Sequence, residues 1–514
     1  MKPRGADIVA RALERAGTRY LFALSGNHVM PVFDAALDVK LPILHVRHEA
    51  AAVNMADAWG RLTGEAGIAL VTGGPGHANA VSALYTALAA ESPVVLLSGH
   101  APTHELGKGA FQEMAQAEMA APACKGSWTV RSVRTLGEDL ARAMRLATAG
   151  RPGPVHLSLP SDVLDAKGSA DLPAKERFFP EPFSPQAGVV EAMLAALRKA
   201  KRPLLIAGPA SGNARGRALL RAFEQATRVP AIAMESPRGV NDPSLGMLAE
   251  VLAAADTVVL AGKRRDFTLR FGAAFAAGCR VIETEPELAH WTAAAAQESW
   301  PKSGWIDEVR AALAFRPAQW QALGSAPAGP LHPVEVGRAV QQLLEGPESV
   351  LVADGGEFGQ WAQATVSAPH RVINGVAGSI GAALPFAAAA KLALPGATVV
   401  AMLGDGTFGF HAAEIDTAVR GDLAYIAVVG NDACWNAEYQ IQLRSYGAPR
   451  ARGLDLLPTR YDRVAAGFGA HGEHVAQPPE LAPALARAAK AGRVACVNVL
   501  IERLPAPVYR REAA

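Results

Sequence analysis

The sequence predicts an α/β protein built from three doubly wound, parallel-sheet domains in series. Three observations predict it. Short apolar runs recur along the 514 residues, each followed by a loop and an alanine-rich stretch of helical character. Runs of this type, short and mostly apolar, suit strands buried on both faces of a parallel sheet. Two proline-rich stretches, the first also of mixed charge, interrupt the rhythm and leave three series. At roughly 100–200 residues per domain, the length agrees with about three domains.

The elements follow in order. The opening MKPRGADIVARALERAGTRYLFALSG reads as an amphipathic helix and then a strand. The first series, residues 1–165, contains the runs YLFALSG, ILHVRH, IALVTGGPG, PVVLLSG and PVHLSLP. Residues Leu164 to Gly188 read as a linker. The second series, 187–318, contains PLLIAG, VPAIAM, TVVLAG and RVIETEP. A second linker is expected from Phe315 to Pro333. The third series, 333–508, contains SVLVADGG, RVINGVAG, TVVAMLGDG, AYIAVVGN and VACVNVLIE. The letters alone do not establish an internal repeat.

Composition narrows the function classes. Fifty basic residues against 48 acidic ones give a formal charge of +2, which asks for neither nucleic acid nor an acidic membrane surface. No apolar run approaches the ~18 residues of a membrane span. Cys124, Cys279, Cys434 and Cys496 lie far apart with no CxxC pair, against a disulfide framework or a zinc site. With an N-terminus lacking a signal peptide's apolar core, this suits a reducing cytoplasm.

The most specific segment is LGDGTFGFHAAEIDTAVRGDLAYIAVVGNDACWNAEYQ, read as strand, turn, helix, strand, turn. Glycines at Gly404 and Gly406 let the backbone approach a phosphate, and the following helix is expected to offer free N–H groups and its positive dipole end. Asp405 supplies a hard oxygen for Mg²⁺. The next strand ends at Asn431-Asp432, 432 − 405 = 27 positions later. One helix plus one strand returns the chain to the same sheet edge, where two carboxylates, diphosphate oxygens and water complete an octahedral shell.

This spacing resembles the diphosphate motif of thiamine-diphosphate enzymes. The resemblance implies that Gly404, Gly406 and Thr407 meet the cofactor's diphosphate, and that Asp405 and position 432 bind Mg²⁺. A third metal ligand is implied from the backbone carbonyl of Cys434, with no role for its thiol. The family's usual ending is Asn-Asn, so Asp432 is a departure that adds charge beside the diphosphate. VADGGEFGQW resembles the loop that clasps the diphosphate through its backbone, at Glu357 and Phe358. Ile380, in VAGSIGAAL, matches the bulky residue that keeps the cofactor bent; by itself it also reads as an ordinary core isoleucine.

HVRHEAAAVNMADAWGRLTG resembles the pyrimidine-binding domain of the same family. Alone, Glu49 reads as a carboxylate favouring a helix N-terminus. The resemblance implies instead that it hydrogen-bonds the aminopyrimidine ring, so that the imino tautomer removes the thiazolium C2 proton. The loop GGPGHAN, with Gly76 and Asn79, follows at the family's position. The three domains then become pyrimidine-binding, middle and diphosphate-binding. Because the family holds the two halves of one cofactor on different subunits, a homodimer or homotetramer with the active site at the subunit interface is implied.

The resemblance covers nearly the whole chain and is closest to the acetolactate synthase, benzaldehyde lyase and 2-hydroxyacyl-CoA lyase group. Gln112 matches an active-site glutamine of the first two. His28 matches a benzaldehyde lyase histidine able to shuttle a hydroxyl proton; alone, it also reads as a loop histidine capping a helix. Ile441 stands where acetolactate synthase carries an acceptor-selecting tryptophan, and Trp435, out of register with that residue, reads as packing on the loop. GKRRDFTLRFG matches an arginine-rich turn near the synthases' flavin, which leaves a non-redox FAD or an adenine nucleotide open. A carboligase or lyase of 2-oxo acids or acyloins is expected, the rivals being a simple 2-oxo acid decarboxylase, a 2-hydroxyacyl-CoA lyase without ligase activity and a non-catalytic relative.

Overall fold

A computed structural model describes residues 2–168, 172–181 and 187–509. The chain divides into two compact units. One comprises residues 1–182 with 384–395 and 411–424; the other comprises 183–383, 396–410 and 425–514.

The first unit holds a six-stranded sheet. Its strands are β1 (Leu21–Ala23), β2 (Ile43–His45), β3 (Gly67–Val71), β4 (Val94–His100), β5 (Gly126–Thr129) and β6 (Val155–Pro160), in the order β2-β1-β3-β4-β6-β5. Every pairing is parallel. Its central strands bury every residue, including the polar Ser98, His156 and Ser158 among their apolar neighbours. The helix Gly5–Ala16 turns Ile8, Val9 and Leu13 into the core at helical spacing and ends on left-handed Gly17. The helix Glu49–Thr63 buries every residue from Ala50 to Gly60; its small alanines permit close packing.

The second unit holds two sheets. One contains β7 (Pro203–Ala207), β8 (Ala231–Ala233), β9 (Thr257–Ala261) and β10 (Arg280–Thr284), ordered β10-β9-β7-β8. The other contains β11 (Val350–Ala353), β12 (His370–Ile373), β13 (Val399–Gly404), β14 (Ile426–Asn431), β15 (His471–Val475) and β16 (Ala495–Leu500), ordered β12-β11-β13-β14-β16-β15. Both are wholly parallel. The protein is therefore an α/β chain with three parallel sheets. The two six-stranded sheets share one strand order, and the four-stranded sheet repeats its first four strands. That internal repetition is visible in topology though not in the letters.

Some expectations need correction. Strands β5 (GSWT) and β15 (HGEHV) have no apolar run in the sequence. Both are edge strands with partly exposed side chains, so burial on two faces never shaped them. The stretch Leu164 to Gly188 is not a free linker where it is described: it includes the end of the helix Ser161–Asp165 and a turn at Lys175–Phe178, and Phe178 is buried in the first core. Residues 169–171 and 182–186 of that stretch lie outside the described residues. The stretch Phe315 to Pro333 contains the short helix Gln319–Ala322, whose Trp320 is buried against Val334, Trp361 and Ala364. Burying one indole removes enough apolar surface to fix such a segment.

No helix among the described residues is long and apolar enough to cross a membrane. All four cysteines are free.

Candidate active site

In the first unit the predicted residues gather where β1 and β3 end. His28 lies in a short 3-10 turn after β1 and is buried. Its Nδ1 is 3.2 Å from the Thr72 hydroxyl, just beyond β3. Its ring stacks on Phe111, with centroids 6.3 Å apart. Burial lowers the imidazole's proton affinity below its ordinary value. Glu49 begins its helix after β2, and its Oε2 accepts a 3.0 Å hydrogen bond from Asn79 Nδ2. Gly76 lies between these groups. A methyl group there would stand 2.8 Å from the Thr72 methyl and 3.3 Å from Glu49 Oε1, so the close approach needs glycine.

Gln112 has a positive φ of 58°, and its carbonyl oxygen would lie 2.6 Å from a methyl at Gly74. The loop bearing Gln112 thus rests on the loop that leads to Gly76. Glu113 shapes the former by accepting the N–H groups of Gly107, Gly109 and Ala110. Glu49, Gly76, Asn79, His28 and Gln112 are all brought to this one region. Thr72 and Gln116 were not read from the sequence. Buried Gln116 accepts the Gly74 N–H at 2.8 Å and donates to Gly99 O and Ser158 Oγ.

In the second unit the remaining predicted residues line a cavity of about 280 Å³ at the C-terminal ends of β11, β13 and β14. Gly404 pairs with Gly430 across the parallel β13–β14 ladder, which sets Asp405 and Asp432 at one edge, as their spacing implied. Glu357, Phe358, Ile380, Gly404, Gly406, Thr407 and Cys434 line the same space. Ile380 packs on Gly355, where a methyl would meet its Cγ2 at 2.6 Å. The helix expected to follow the turn is broken: Asp405–Phe408 forms a single turn, and Glu414–Arg420 forms a separate helix. The dipole expected at the phosphate end is accordingly short. Thr407 donates its hydroxyl to Gly404 O at 3.0 Å.

The two carboxylates carry an electrostatic burden. Asp405 is buried, and burial pushes its carboxyl up to about 6 against backbone N–H donors. Its Oδ2 has no hydrogen-bond partner. Asp432 is pushed up to about 7, first by burial and then by the Asp405 charge. The Asp432 turn has left-handed Ala433, and Arg503 caps it by donating to the carbonyls of Asp432 and Ala433 at 3.2 Å each. A buried, unpartnered carboxylate oxygen beside a second carboxylate fits a hard cation. No cluster of three or more metal-ligating side chains occurs among the described residues, so such a cation would need backbone and ligand oxygens as well.

Three further residues bear on the expectations. Trp435 packs its ring over Gly406 and lines the cavity. Ile441 is exposed and does not line the cavity. Asp354, buried at the end of β11, accepts the N–H groups of Gly355, Gly381 and Ala383 and so ties the Ile380 loop to the sheet. Its only sequence signal was an acidic residue between a strand and two glycines.

Residues 3–119 match the family model described as the thiamine pyrophosphate enzyme N-terminal TPP binding domain, and residues 354–499 match its C-terminal TPP binding domain. The acetolactate synthase large subunit IlvG of Mycobacterium tuberculosis is 32% identical, covering 98% of this chain and 97% of that protein. The chain belongs to the thiamine diphosphate enzyme family. Human 2-hydroxyacyl-CoA lyase 2 is also 32% identical, over 97% of this chain and 90% of the lyase. The Caenorhabditis elegans 2-hydroxyacyl-CoA lyase 2 is 29% identical over 97% of the chain. This thiamine diphosphate enzyme is acetolactate synthase-like, a carbon–carbon lyase or transferase.

Proposed function

We propose that the protein is a carboligase or lyase acting on 2-oxo acids or acyloins, with thiamine diphosphate anchored through magnesium. The observation that carries this reading is the pair Asp405 and Asp432 at adjacent strand ends in one cavity, with Asp405 Oδ2 buried and unpartnered. Magnesium would be held by these carboxylates and the Cys434 carbonyl. The diphosphate would rest beside Gly404, Gly406, Thr407 and the backbone at Glu357–Phe358, with Ile380 supporting the bend of the cofactor. When bound, thiamine diphosphate supplies a nucleophilic carbon that adds to a substrate carbonyl and accepts the electron pair left when carbon dioxide or an aldehyde departs.

Glu49, steadied by Asn79 and packed beside Gly76, would hydrogen-bond the aminopyrimidine and favour proton removal from that carbon. His28, kept neutral by burial, accepts or returns the proton of the substrate hydroxyl. Gln112 orients the substrate oxygen from the loop that Glu113 folds. Glu49 and Asp405 are proposed to serve one cofactor from different subunits, which makes the enzyme a homodimer or homotetramer with its active site at the subunit interface. Four free cysteines suit a cytoplasmic protein.

The acetolactate synthase relative supports bond formation, and the 2-hydroxyacyl-CoA lyases of similar identity support the cleaving direction. The test offers the protein pyruvate, an acyloin and a 2-hydroxyacyl-CoA with thiamine diphosphate and Mg²⁺. Acetolactate or acetoin from pyruvate supports the ligase, whereas acetaldehyde alone would leave a decarboxylase. Cleavage of only the CoA ester favours the lyase reading. In Glu49→Gln, deuterium exchange at the cofactor's C2 should be lost while cofactor binding persists.

A further inference from the structure

In the first unit, the segment leading into Glu49 is gripped by a helix far away in sequence. The helix Glu414–Arg420 begins 414 − 405 = 9 residues after Asp405. Glu414 is 1% exposed, and its Oε1 accepts the Arg47 N–H at 3.0 Å. The same carboxylate meets the His48 N–H, and its Oε2 accepts the Thr417 hydroxyl at 2.7 Å. Asp416 accepts from the Arg47 guanidinium at 3.1 Å. Arg420 donates to the His45 carbonyl at 2.7 Å and is itself held by Asp416 at 2.8 Å. The rings of His411 and His48 meet edge-on, with centroids 6.0 Å apart.

These contacts converge on residues 45–48, immediately before Glu49. Burying a carboxylate against backbone N–H groups and a hydroxyl is costly unless every bond is made. Here those bonds fix the backbone whose geometry aims the Glu49 side chain.

We propose that Glu414, Asp416 and Arg420 are positioning residues that lock the His45–His48 loop, so that Glu49 meets the aminopyrimidine of thiamine diphosphate at a fixed angle. The proposal rests on Glu49 as the activating carboxylate. It assigns the helix after the diphosphate motif a role in activating the cofactor as well as a place in the fold. Arg420 is partly exposed, so its truncation leaves the core intact.

The experiment compares wild type, Glu414→Gln, Arg420→Ala, Arg420→Lys and Glu49→Gln. Amide hydrogen exchange is followed at Arg47 and His48 in cofactor-free protein; deuterium exchange at C2 and the cofactor dissociation constant are measured on the holoenzyme. Loss of a charge-assisted bond corresponds to about a tenfold to hundredfold effect. Glu414→Gln and Arg420→Ala should speed amide exchange and slow C2 exchange on that scale, with cofactor affinity changed by less than about threefold. Arg420→Lys, which keeps a donor for the His45 carbonyl, should recover most of the loss. Wild-type amide protection and C2 exchange in both Glu414→Gln and Arg420→Ala would overturn the lock; if Glu414→Gln does not fold, Arg420→Ala decides alone. Should Glu49→Gln retain normal C2 exchange, the underlying reading of Glu49 fails instead. The amide readout separates the two failures.

Discussion

Asp432 stands where the family pattern has asparagine, and replacing it with asparagine should stabilise the cofactor-free protein at alkaline pH. Burial and the neighbouring Asp405 charge raise its carboxyl from 3.8 to about 7. At about 1.36 kcal/mol per unit, that is roughly 4 kcal/mol against the charged form. Partial solvation leaves about 2–3 kcal/mol as the expected penalty. The sign follows from proton binding. With the folded value above the unfolded one, the folded chain binds more protons between 3.8 and about 7, so stability falls as pH rises through that window. Asparagine removes this contribution. The variant's advantage should be full above the window and vanish below it. Differential scanning calorimetry on metal-stripped protein across that range reads the gap directly. For units of this size, about 2–4 °C per kcal/mol predicts a rise on the order of 5 °C at alkaline pH. With thiamine diphosphate present, the proposed magnesium site predicts that added magnesium stabilises wild type more than the variant, since two carboxylates would hold the ion more tightly than one. Equal melting temperatures at alkaline pH, or a gap that persists in acid, would refute the reasoning.

Gly430→Ala would place a methyl 2.5 Å from the Phe358 ring. Overpacking should cost about 1–3 kcal/mol and weaken thiamine diphosphate binding, read by calorimetry and fluorescence titration; Phe358→Leu in the same chain should restore both. Arg371 pairs with Glu235 and lies 4.0 Å from Asp242 beneath the surface of the second unit. Arg371→Met strands both acids and should destabilise by about 3–5 kcal/mol, checked by calorimetry. Since burial lowers the His28 proton affinity below 6.5, its loss of base function should appear as an acid limb in kcat/KM below that value. His28→Ala should lower kcat and erase the limb while cofactor affinity holds; an unchanged pH–rate profile contradicts the assigned proton role.

The sequence made the sheets legible wherever strands are buried on both faces. β3, β4, β13 and β14 announce themselves as largely apolar runs because neighbouring strands and packed layers exclude water from all their residues but Gly404. β5 and β15 obey no such constraint, and polar letters suffice at a sheet edge. The pair Asp405 and Asp432 could be read because parallel pairing of β13 and β14 converts a fixed sequence interval into adjacency. Asp354, Gln116 and Glu414 could not. Each works by binding backbone donors contributed by segments distant in sequence, and such donors have no letter of their own. Trp435, read as packing on its loop, does lay its ring over Gly406; its place in the cavity lining was not legible.

Repetition of one strand order explains why site residues arise in the places they do, and why the middle sheet differs. In each sheet the first and third strands are neighbours, and their connections leave toward opposite edges, opening a crevice at their C-terminal ends. Around the first sheet that crevice carries His28 and Thr72; in the third it carries Glu357 and Asp405. The corresponding ends of β7 and β9 already answer their own charges. Lys263, buried after β9, is paired at 2.9 Å with Asp266, and the Glu235 carboxylate lies against Gly212 while bonding Arg371. An adenine nucleotide or FAD whose phosphates sought Lys263 would have to displace Asp266 from it. The third crevice presents the unpartnered Asp405 Oδ2; in the middle crevice, Lys263 and Glu235 are already bonded to the protein itself.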